Sequence, residues 1–229
     1  MPEIPKIVLP HGGYKSLIVY KKSDVIYEGT VMFCKRFLPP HGDRTVDQMT
    51  QAARSCKQNI AEGSSTSGTS KEAELTLTGV ARATLDELME DYQDWLKIRN
   101  LDVWSVHDER TKSTRDFAVK NLEWDAWKPM FEIYPPDVLA NMMLTLCHQT
   151  RFLLDKMIGR LEEDFKKNGG VHERMYAARS AVRAEEWEKG LFSRLAGVAT
   201  VEELNKKAAD LQNLIVRTVG SIKQRKGWN

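Results

Sequence analysis

The residues best suited to chemistry in this 229-residue chain are an acidic row and a Cys-His pair. Asp86, Glu90 and Asp94 recur at four-residue steps, which places them along one edge of a helix. No histidine or second carboxylate motif matches this edge, so the spacing favours a solvated or partner-facing acidic face over a metal site. Cys147 and His148 are neighbours in sequence, and neighbours do not share a helix face, so they do not indicate a nucleophile with its base.

Other catalytic and cofactor patterns are missing from the sequence. It has no phosphate-binding glycine loop and no metal-ligand spacing, so we expect a protein that is not an enzyme and holds no metal or cofactor. Three cysteines are an odd number for a disulfide framework. Cys34, Cys56 and Cys147 fall on or near apolar helix faces, which predicts buried, reduced thiols.

Basic side chains are the remaining candidates, because they can contact phosphate. The formal net charge is only +2, yet residues 1–60 carry nine basic and five acidic groups, residues 61–110 carry five and eleven, and residues 171–229 carry eleven and seven. Basic ends around an acidic middle suit a polar partner or a charge-complementary assembly. The candidate nucleic-acid-binding residues are Lys21, Lys22, Lys35, Arg36, Arg54, Lys57, Arg174, Arg179 and Arg183.

Each of these groups has a second interpretation. The lysines near the start of the chain also fit a solvated helix face. The three arginines from Arg174 to Arg183 lie in an Ala-rich segment, which fits a docking helix whose arginines pair with the acidic helix. Both alternatives stay open from the sequence alone.

The elements that must position these residues are helices, and the clearest runs from Gln48 to Gly63. Thr45 and Gln48 form a capping box before it. Small and apolar residues then recur at three- and four-residue steps, so a neighbouring helix can approach closely. Gly63 follows the last periodic residue, which predicts the helix end. The apolar face consists of Met49, Ala52, Ala53, Cys56 and Ile60.

Two polar residues near the end of this helix are candidate interface residues. Asn59 and Glu62 fit hydrogen bonding and capping within a helix corner. They also fit a polar contact across a subunit interface. The sequence leaves both readings open.

This stretch resembles a known family. Gln51-Ala52-Ala53-Arg54-Ser55 and Asn59-Ile60-Ala61-Glu62-Gly63, followed by a Ser/Thr-rich turn, look like the small bacterial four-helix-bundle proteins of 23S rRNA intervening sequences. Residues 100–175, ending in Gly169-Gly170-Val171-His172-Glu173-Arg174-Met175, look like the variant with a "four helix bundle suffix" extension.

The resemblance implies a four-helix bundle that assembles as a homo-oligomer, commonly a pentamer. More distantly, the chain is similar to the accessory proteins of diversity-generating retroelements. Those relatives bind a reverse transcriptase and RNA through a basic surface. On this resemblance, Lys21, Lys22, Lys35 and Arg36 with Arg54 and Lys57 would supply that surface.

The rest of the chain divides into an arm, a bundle and an extension. We expect an N-terminal arm over residues 1–15 and a bundle over 16–170, with helices at about 16–37, 48–63, up to 98 and 138–167. Thr69 and Glu72 form a capping box for the third helix, whose predicted apolar face includes Val80. Residues 99–137 are expected to be an irregular, aromatic-rich insertion packed on the bundle, with one short helix from Asp108 to Asn121.

Residues 171–229 are expected to form a helical extension. From a capping box at Thr200, apolar residues step alternately by three and four through residues 200–226, which is a heptad seam. Three heptads are marginal alone, so this helix should pack on the bundle, on its own copies or on a partner. Its candidate interface residues are Leu204, Leu211 and Ile215.

The combined prediction is an all-α protein built on an antiparallel up-and-down four-helix bundle, with the insertion and extra C-terminal helices. We expect a non-enzymatic, homo-oligomeric scaffold that binds RNA or DNA, a protein partner such as a reverse transcriptase, or both. The alternative is a pure protein-interaction module that acts through the C-terminal heptad helix. Without a secretory signal or a long apolar run, a cytoplasmic location with no membrane contact is expected.

Overall fold

The computed structural model is all-α over the residues that it describes, which are 12–39, 44–195 and 201–226. A short 3-10 turn at Tyr14–Ser16 precedes the first long helix. The α-helices are α1 (Ile18–Phe37), α2 (Arg44–Thr66), α3 (Lys71–Ile98), α4 (Glu109–Lys120), α5 (Trp124–Ile133), α6 (Pro136–Asn168), α7 (Val171–Leu195) and α8 (Val201–Lys226).

Four of these helices form the bundle. α1 packs on α2, α2 on α3, α3 on α6, and α6 back on α1, which closes a four-membered ring. Short connections between α1, α2 and α3 favour antiparallel neighbours. The predicted helical bundle with extra helices is thus confirmed. Residues 7–174 form one compact unit, and the described residues from Met175 onward belong to a second unit.

An aromatic cluster joins α1 to α3 in the bundle core. The ring of Phe33 makes edge contacts with Tyr92 and Trp95, at centroid distances of 5.3 and 5.0 Å. Tyr92 is fully buried, and its hydroxyl hydrogen-bonds the hydroxyl of Thr30 at 3.0 Å. This bond satisfies two polar groups that would otherwise destabilise the core.

The predicted apolar face of α2 is buried, but both of its predicted ends are wrong. The helix begins at Arg44, so Thr45 lies inside it rather than capping it. Gly63 does not end the helix, which continues to Thr66. It is buried against α3, where an added Cβ would lie 3.4 Å from the Glu74 carbonyl oxygen. The glycine therefore serves close helix packing rather than a left-handed stop.

The start of α3 also differs from the prediction by one residue. Ser70, and not Thr69, is the N-cap, and its hydroxyl accepts a hydrogen bond from the Ala73 amide at 3.1 Å. Thr69 instead donates to the Thr66 carbonyl at 3.0 Å. Val80, predicted on the apolar face, is 42% exposed.

The insertion is more regular than predicted. Asp108 caps α4 as expected, since its carboxylate accepts from the Arg110 amide at 2.8 Å. The prediction missed α5, because Pro129 interrupts its apolar pattern. Trp127 and Phe131 of α5 are buried, which confirms that the insertion's aromatic side chains pack onto the bundle. Trp127 also donates its indole N–H to the Asn121 carbonyl at 3.0 Å.

One buried amide fastens the loop between α3 and α4 to α6. Asn141 is 2% exposed, and its Oδ1 accepts a hydrogen bond from the Trp104 amide at 2.8 Å. Its Nδ2 donates to the carbonyls of Asp102 and Asp137, each at 2.9 Å. The loop thus receives two of its anchoring bonds from a single side chain, while the third bond, to Asp137, stays within α6.

The C-terminal helices follow directly. Gly169, with φ of 64°, ends α6 as predicted. α7 and α8 span the predicted extension, while Thr200 and residues 227–229 lie outside the described residues, as does most of the predicted arm. None of the helices in the described ranges is both long enough and apolar enough to cross a bilayer.

Replacing Asn141 should loosen the loop. Asn141→Ala leaves the Trp104 amide and the Asp102 carbonyl without this partner, so we expect a loss of about 1–3 kcal/mol in the free energy of unfolding. Chemical denaturation measures this loss, and hydrogen exchange at residues 102–106 should speed up. Asn168→Ala is the matched control on the same helix, since that exposed amide bonds only the Asp164 carboxylate. Equal losses in the two variants would contradict the anchoring role.

Candidate functional site

A cavity of about 580 Å³ lies where the insertion covers α6. α1 and α3 line one side, and the loop before α4 together with α4 itself lines the other. Its volume falls within the roughly 300–1,000 Å³ range of small-molecule sites. Most of its wall is apolar and comes from Val103, Trp104, Val119, Leu144, Phe152 and Leu153.

α6 contributes one face to the bundle core and a second face to this cavity. One face, which includes Leu139, Met143 and Leu146, is buried in the bundle core. The second face lines the cavity with residues at alternating steps of three and one: Asn141, Leu144, Thr145, His148, Gln149, Phe152 and Leu153. That step pattern is visible in the sequence, but its mixed polarity hides it from a search for apolar stripes.

Lys22 lies in the cavity wall and is not part of a nucleic-acid-binding surface, contrary to the prediction. It is only 4% exposed. Its Nζ donates to the Ala118 carbonyl at 2.6 Å and to Gln149 Oε1 at 2.9 Å. Ala118 lies in the last turn of α4, where carbonyls lack helical partners and the helix dipole favours a cation.

Gln149 completes this network across three helices. Its Oε1 accepts from Lys22 on α1, and its Nε2 donates to the Arg115 carbonyl on α4 at 3.1 Å. The insertion is thereby tied to the bundle, since α4 supplies one of the two acceptors that the buried ammonium needs and α6 supplies the other.

Burial lowers the pKa of Lys22 from 10.5 to about 8. Both hydrogen-bond acceptors are neutral, so they do not offset the loss of hydration as a carboxylate would. A lysine with a lowered pKa in an apolar cavity is a recognised feature of functional sites.

Besides Lys22, the cavity wall contains a polar group that has no hydrogen-bond partner within the described structure. Thr111 is 8% exposed, and its hydroxyl makes no hydrogen bond within the described structure. Two further basic residues line the cavity. The Arg115 guanidinium donates to the Val106 carbonyl. The pKa of His148 is lowered, chiefly through desolvation and secondarily through Arg151, which disfavours its charged form.

Two other predicted phosphate contacts are engaged elsewhere on the surface. Lys21 forms an ion pair with Glu123 at 2.6 Å. Lys57 pairs with Asp24 at 2.9 Å and lies 4.3 Å from the Tyr27 ring centroid. Exposed pairs of this kind contribute at most about 1 kcal/mol, yet they lower the positive potential offered to a polyanion.

The remaining basic residues are more open. Lys35, Arg36 and Arg54 are exposed and form no ion pair among the described residues. Arg174, in the first unit, is half-buried and donates to the Gly68 carbonyl at 3.5 Å. Arg179 and Arg183, in the second unit, are exposed on α7.

The acidic face of α3 is engaged by α6 in part. Asp86 pairs with Arg151, and Arg82 of α3 pairs with Asp155 at 3.1 Å. Within the described ranges, no group of three or more His, Cys, Asp and Glu side chains is placed to hold a metal ion.

The predicted interface residues differ in their surroundings. Asn59 donates to the Ser55 carbonyl of its own helix at 2.9 Å, and Glu62 is exposed. In α8, Leu211 is half-buried and Ile215 is 45% exposed. The side chain of Leu204 lies outside the described residues.

All three thiols are free and buried, as predicted. Burial raises the pKa of Cys56 to about 12 and also raises the pKa of Cys147 well above its usual value. At neutral pH these two side chains are therefore neutral thiols and poor nucleophiles.

Comparison of the chain with protein-family models, curated proteins and solved structures gives no match. The resemblance to the four-helix-bundle proteins of rRNA intervening sequences therefore stays a prediction.

The buried Lys22 ammonium should make stability depend on pH. Because its pKa is about 8 when folded and 10.5 otherwise, the unfolded chain binds more protons between these values. The Lys22 contribution to stability should thus rise from pH 8 to pH 10.5, by on the order of 3 kcal/mol at most. The buried Cys56 and Cys147 thiols, whose pKa values are raised, contribute in the opposite direction. Chemical denaturation across this range measures the Lys22 contribution as the difference in free energy of unfolding between the unaltered chain and Lys22→Met. Lys35→Met, which alters an exposed lysine of the same helix, is the control and should retain the pH dependence of the unaltered chain.

Proposed function

We propose that the protein is a non-enzymatic helical scaffold that self-associates through α8. The observation that supports this is the exposure of the predicted heptad seam where its side chains are described. Ala208 is exposed, Leu211 is half-buried and Ile215 is 45% exposed, and Leu214 beside the seam is 38% exposed. Burying such side chains is worth about 1.5–3 kcal/mol each.

The length and pattern of α8 support a helix partner. α8 has 26 residues, which supplies more than three heptads, and its seam alternates steps of three and four. An isolated helix of this kind is marginal in water, so packing against a second helix would stabilise it. A second copy of α8 offers the same seam, and cyclic symmetry lets identical surfaces assemble into closed oligomers. The pentamer implied by the family resemblance is one such closed assembly.

The buried thiols support a role without covalent chemistry. Cys56 and Cys147 are both neutral at physiological pH and enclosed in the core, so neither is suited to act as a nucleophile. Asp86 of the acidic α3 face forms an ion pair with Arg151 of α6, which is a structural role.

Charge on the seam should break the assembly. Ile215→Glu places a charge in the apolar contact, so we expect a lower particle mass by light scattering after gel filtration than for the unaltered chain. Val216→Glu is the matched control, because Val216 is adjacent, 67% exposed and off the seam. A monomeric mass for the unaltered chain at micromolar concentration would overturn the proposal. Equal effects of the two variants would show that general charge, and not the seam, controls assembly.

Nucleic-acid binding is the second candidate function. It is supported by five exposed basic residues without ion pairs among the described residues: Lys35, Arg36, Arg54, Arg179 and Arg183. A protein partner such as the reverse transcriptase implied by the resemblance would fit the same scaffold role. Lys21 and Lys57 each form an ion pair with a carboxylate, and Lys22 is buried. The surface of α1 and α2 is therefore less basic than the sequence predicts.

Salt dependence tests this second function. If Lys35, Arg36 and Arg54 contact phosphates of a single-stranded RNA, replacing all three by Gln should lower the slope of log K against log salt by about 2. Fluorescence anisotropy with a labelled 20-nucleotide RNA between 50 and 300 mM NaCl gives the slope. Lys21→Gln is the control, since Lys21 is paired with Glu123. Absence of binding at 50 mM NaCl would contradict the function.

A further inference from the structure

We propose that the cavity between α6 and the insertion binds an amphipathic carboxylate, with the carboxylate on the Lys22 ammonium and the apolar body against Trp104, Leu144 and Phe152. This site goes beyond the scaffold function and depends on neither self-association nor nucleic acid. It lies within the unit of residues 7–174.

The charge of the lining selects an anion. The described residues that line the cavity include the cations Lys22 and Arg115 but no carboxylate. Lys22 uses two N–H groups on neutral oxygens, and an ammonium has three, so one donor is left for a ligand. A bound carboxylate would supply the opposite charge that the two neutral acceptors lack, and thus an ion pair with the ammonium.

The polarity of the wall selects a carboxylate with an apolar body over a phosphate. Phosphate sites usually combine several backbone amides or guanidinium groups around a strongly hydrated anion. Here a single buried ammonium stands among valine, leucine and aromatic side chains. A monoanion joined to a hydrocarbon body matches that combination, because the body gains from leaving water while one ion pair holds the head.

The unpartnered Thr111 hydroxyl indicates a second polar group on the ligand. Thr111 and Ala118 are seven residues apart on α4, about 10.5 Å along the helix axis, and Ala118 holds the Lys22 ammonium. Thr111 is buried and lines the same cavity. A ligand that carries a hydroxyl or carbonyl at the end remote from its carboxylate would satisfy both groups.

The mouth of the cavity offers a route for such a ligand. Phe152 and Val119 line the cavity and are 60% and 65% exposed. Exposed apolar side chains at a cavity mouth can contact the hydrocarbon body as it enters. Access therefore does not require the bundle to open.

Calorimetric titration of the full chain with octanoate, octanol and octylammonium tests the charge preference. We expect octanoate to bind at least tenfold more tightly than octanol, and octylammonium to bind most weakly. This comparison needs no variant. Equal affinities for octanoate and octanol, or tighter binding of octylammonium, would overturn the proposal.

Two variants test the named residues. Lys22→Met should weaken octanoate at least tenfold and change octanol less than twofold, whereas Lys35→Met should change neither. Thr111→Val should remove any advantage of 8-hydroxyoctanoate over octanoate and leave octanoate itself unchanged. Unchanged octanoate affinity in Lys22→Met, with the helical circular dichroism retained, would refute the site.

The remaining outcome concerns a second copy of the chain. If octanoate does not bind and Phe152→Ser lowers the particle mass, side chains of a second copy fill the cavity and the ligand proposal fails. The assembly proposed for α8 is tested by the particle mass of Ile215→Glu, so the two proposals can fail separately.

Discussion

The burial of the Lys22 ammonium is the constraint on which the arrangement of the insertion and the bundle depends. An ammonium cannot remain in an apolar interior without acceptors, since the cost of its dehydration is several kcal/mol. The last turn of α4 provides one carbonyl and α6 provides Gln149, so both are held against α1. Gln149 in turn holds α4 through the Arg115 carbonyl. One charged side chain thus links three helices, and its partners Ala118 and Gln149 lie 96 and 127 residues further along the chain.

The cavity lies beside this network. The C-terminal turn of α4 bonds Lys22, and the rest of α4, the preceding loop and the second face of α6 line the cavity. Asn141 closes the far side by binding both the Trp104 amide and the Asp102 carbonyl. Tight packing at the aromatic core and open packing beside the insertion therefore coexist in one unit. The tight packing stabilises the bundle. The open packing leaves the Lys22 ammonium and the Thr111 hydroxyl with unused hydrogen-bonding capacity.

The candidate binding surfaces depend on which basic side chains form ion pairs and which do not. Lys21 and Lys57 have acidic neighbours from other helices, while Lys35, Arg36 and Arg54 have none among the described residues. A sequence shows where cations occur but not which carboxylates fold against them. The uncovered seam of α8 is a different kind of surface, since its apolar residues gain free energy only when another helix covers them. The proposed scaffold function is supported by these two surfaces, the basic residues without ion pairs and the seam of α8, and not by a reactive group.

The sequence by itself determined the all-α class, the bundle helices and the buried face of α2, because helical periodicity is a local property that each segment carries. It also indicated the Asp108 cap, the buried thiols and the inward packing of the insertion's aromatic residues. It misplaced Thr45, Thr69 and Gly63, since capping boxes and glycines fit several local geometries and the packing of α3 on α2 selects one. Only the tertiary structure decided that α5 is a helix, that Lys22 is buried and that a cavity exists. Those features depend on long-range contacts between α1, α4 and α6. A lysine within a helical pattern is predicted to be exposed to solvent until the helix that covers it is known.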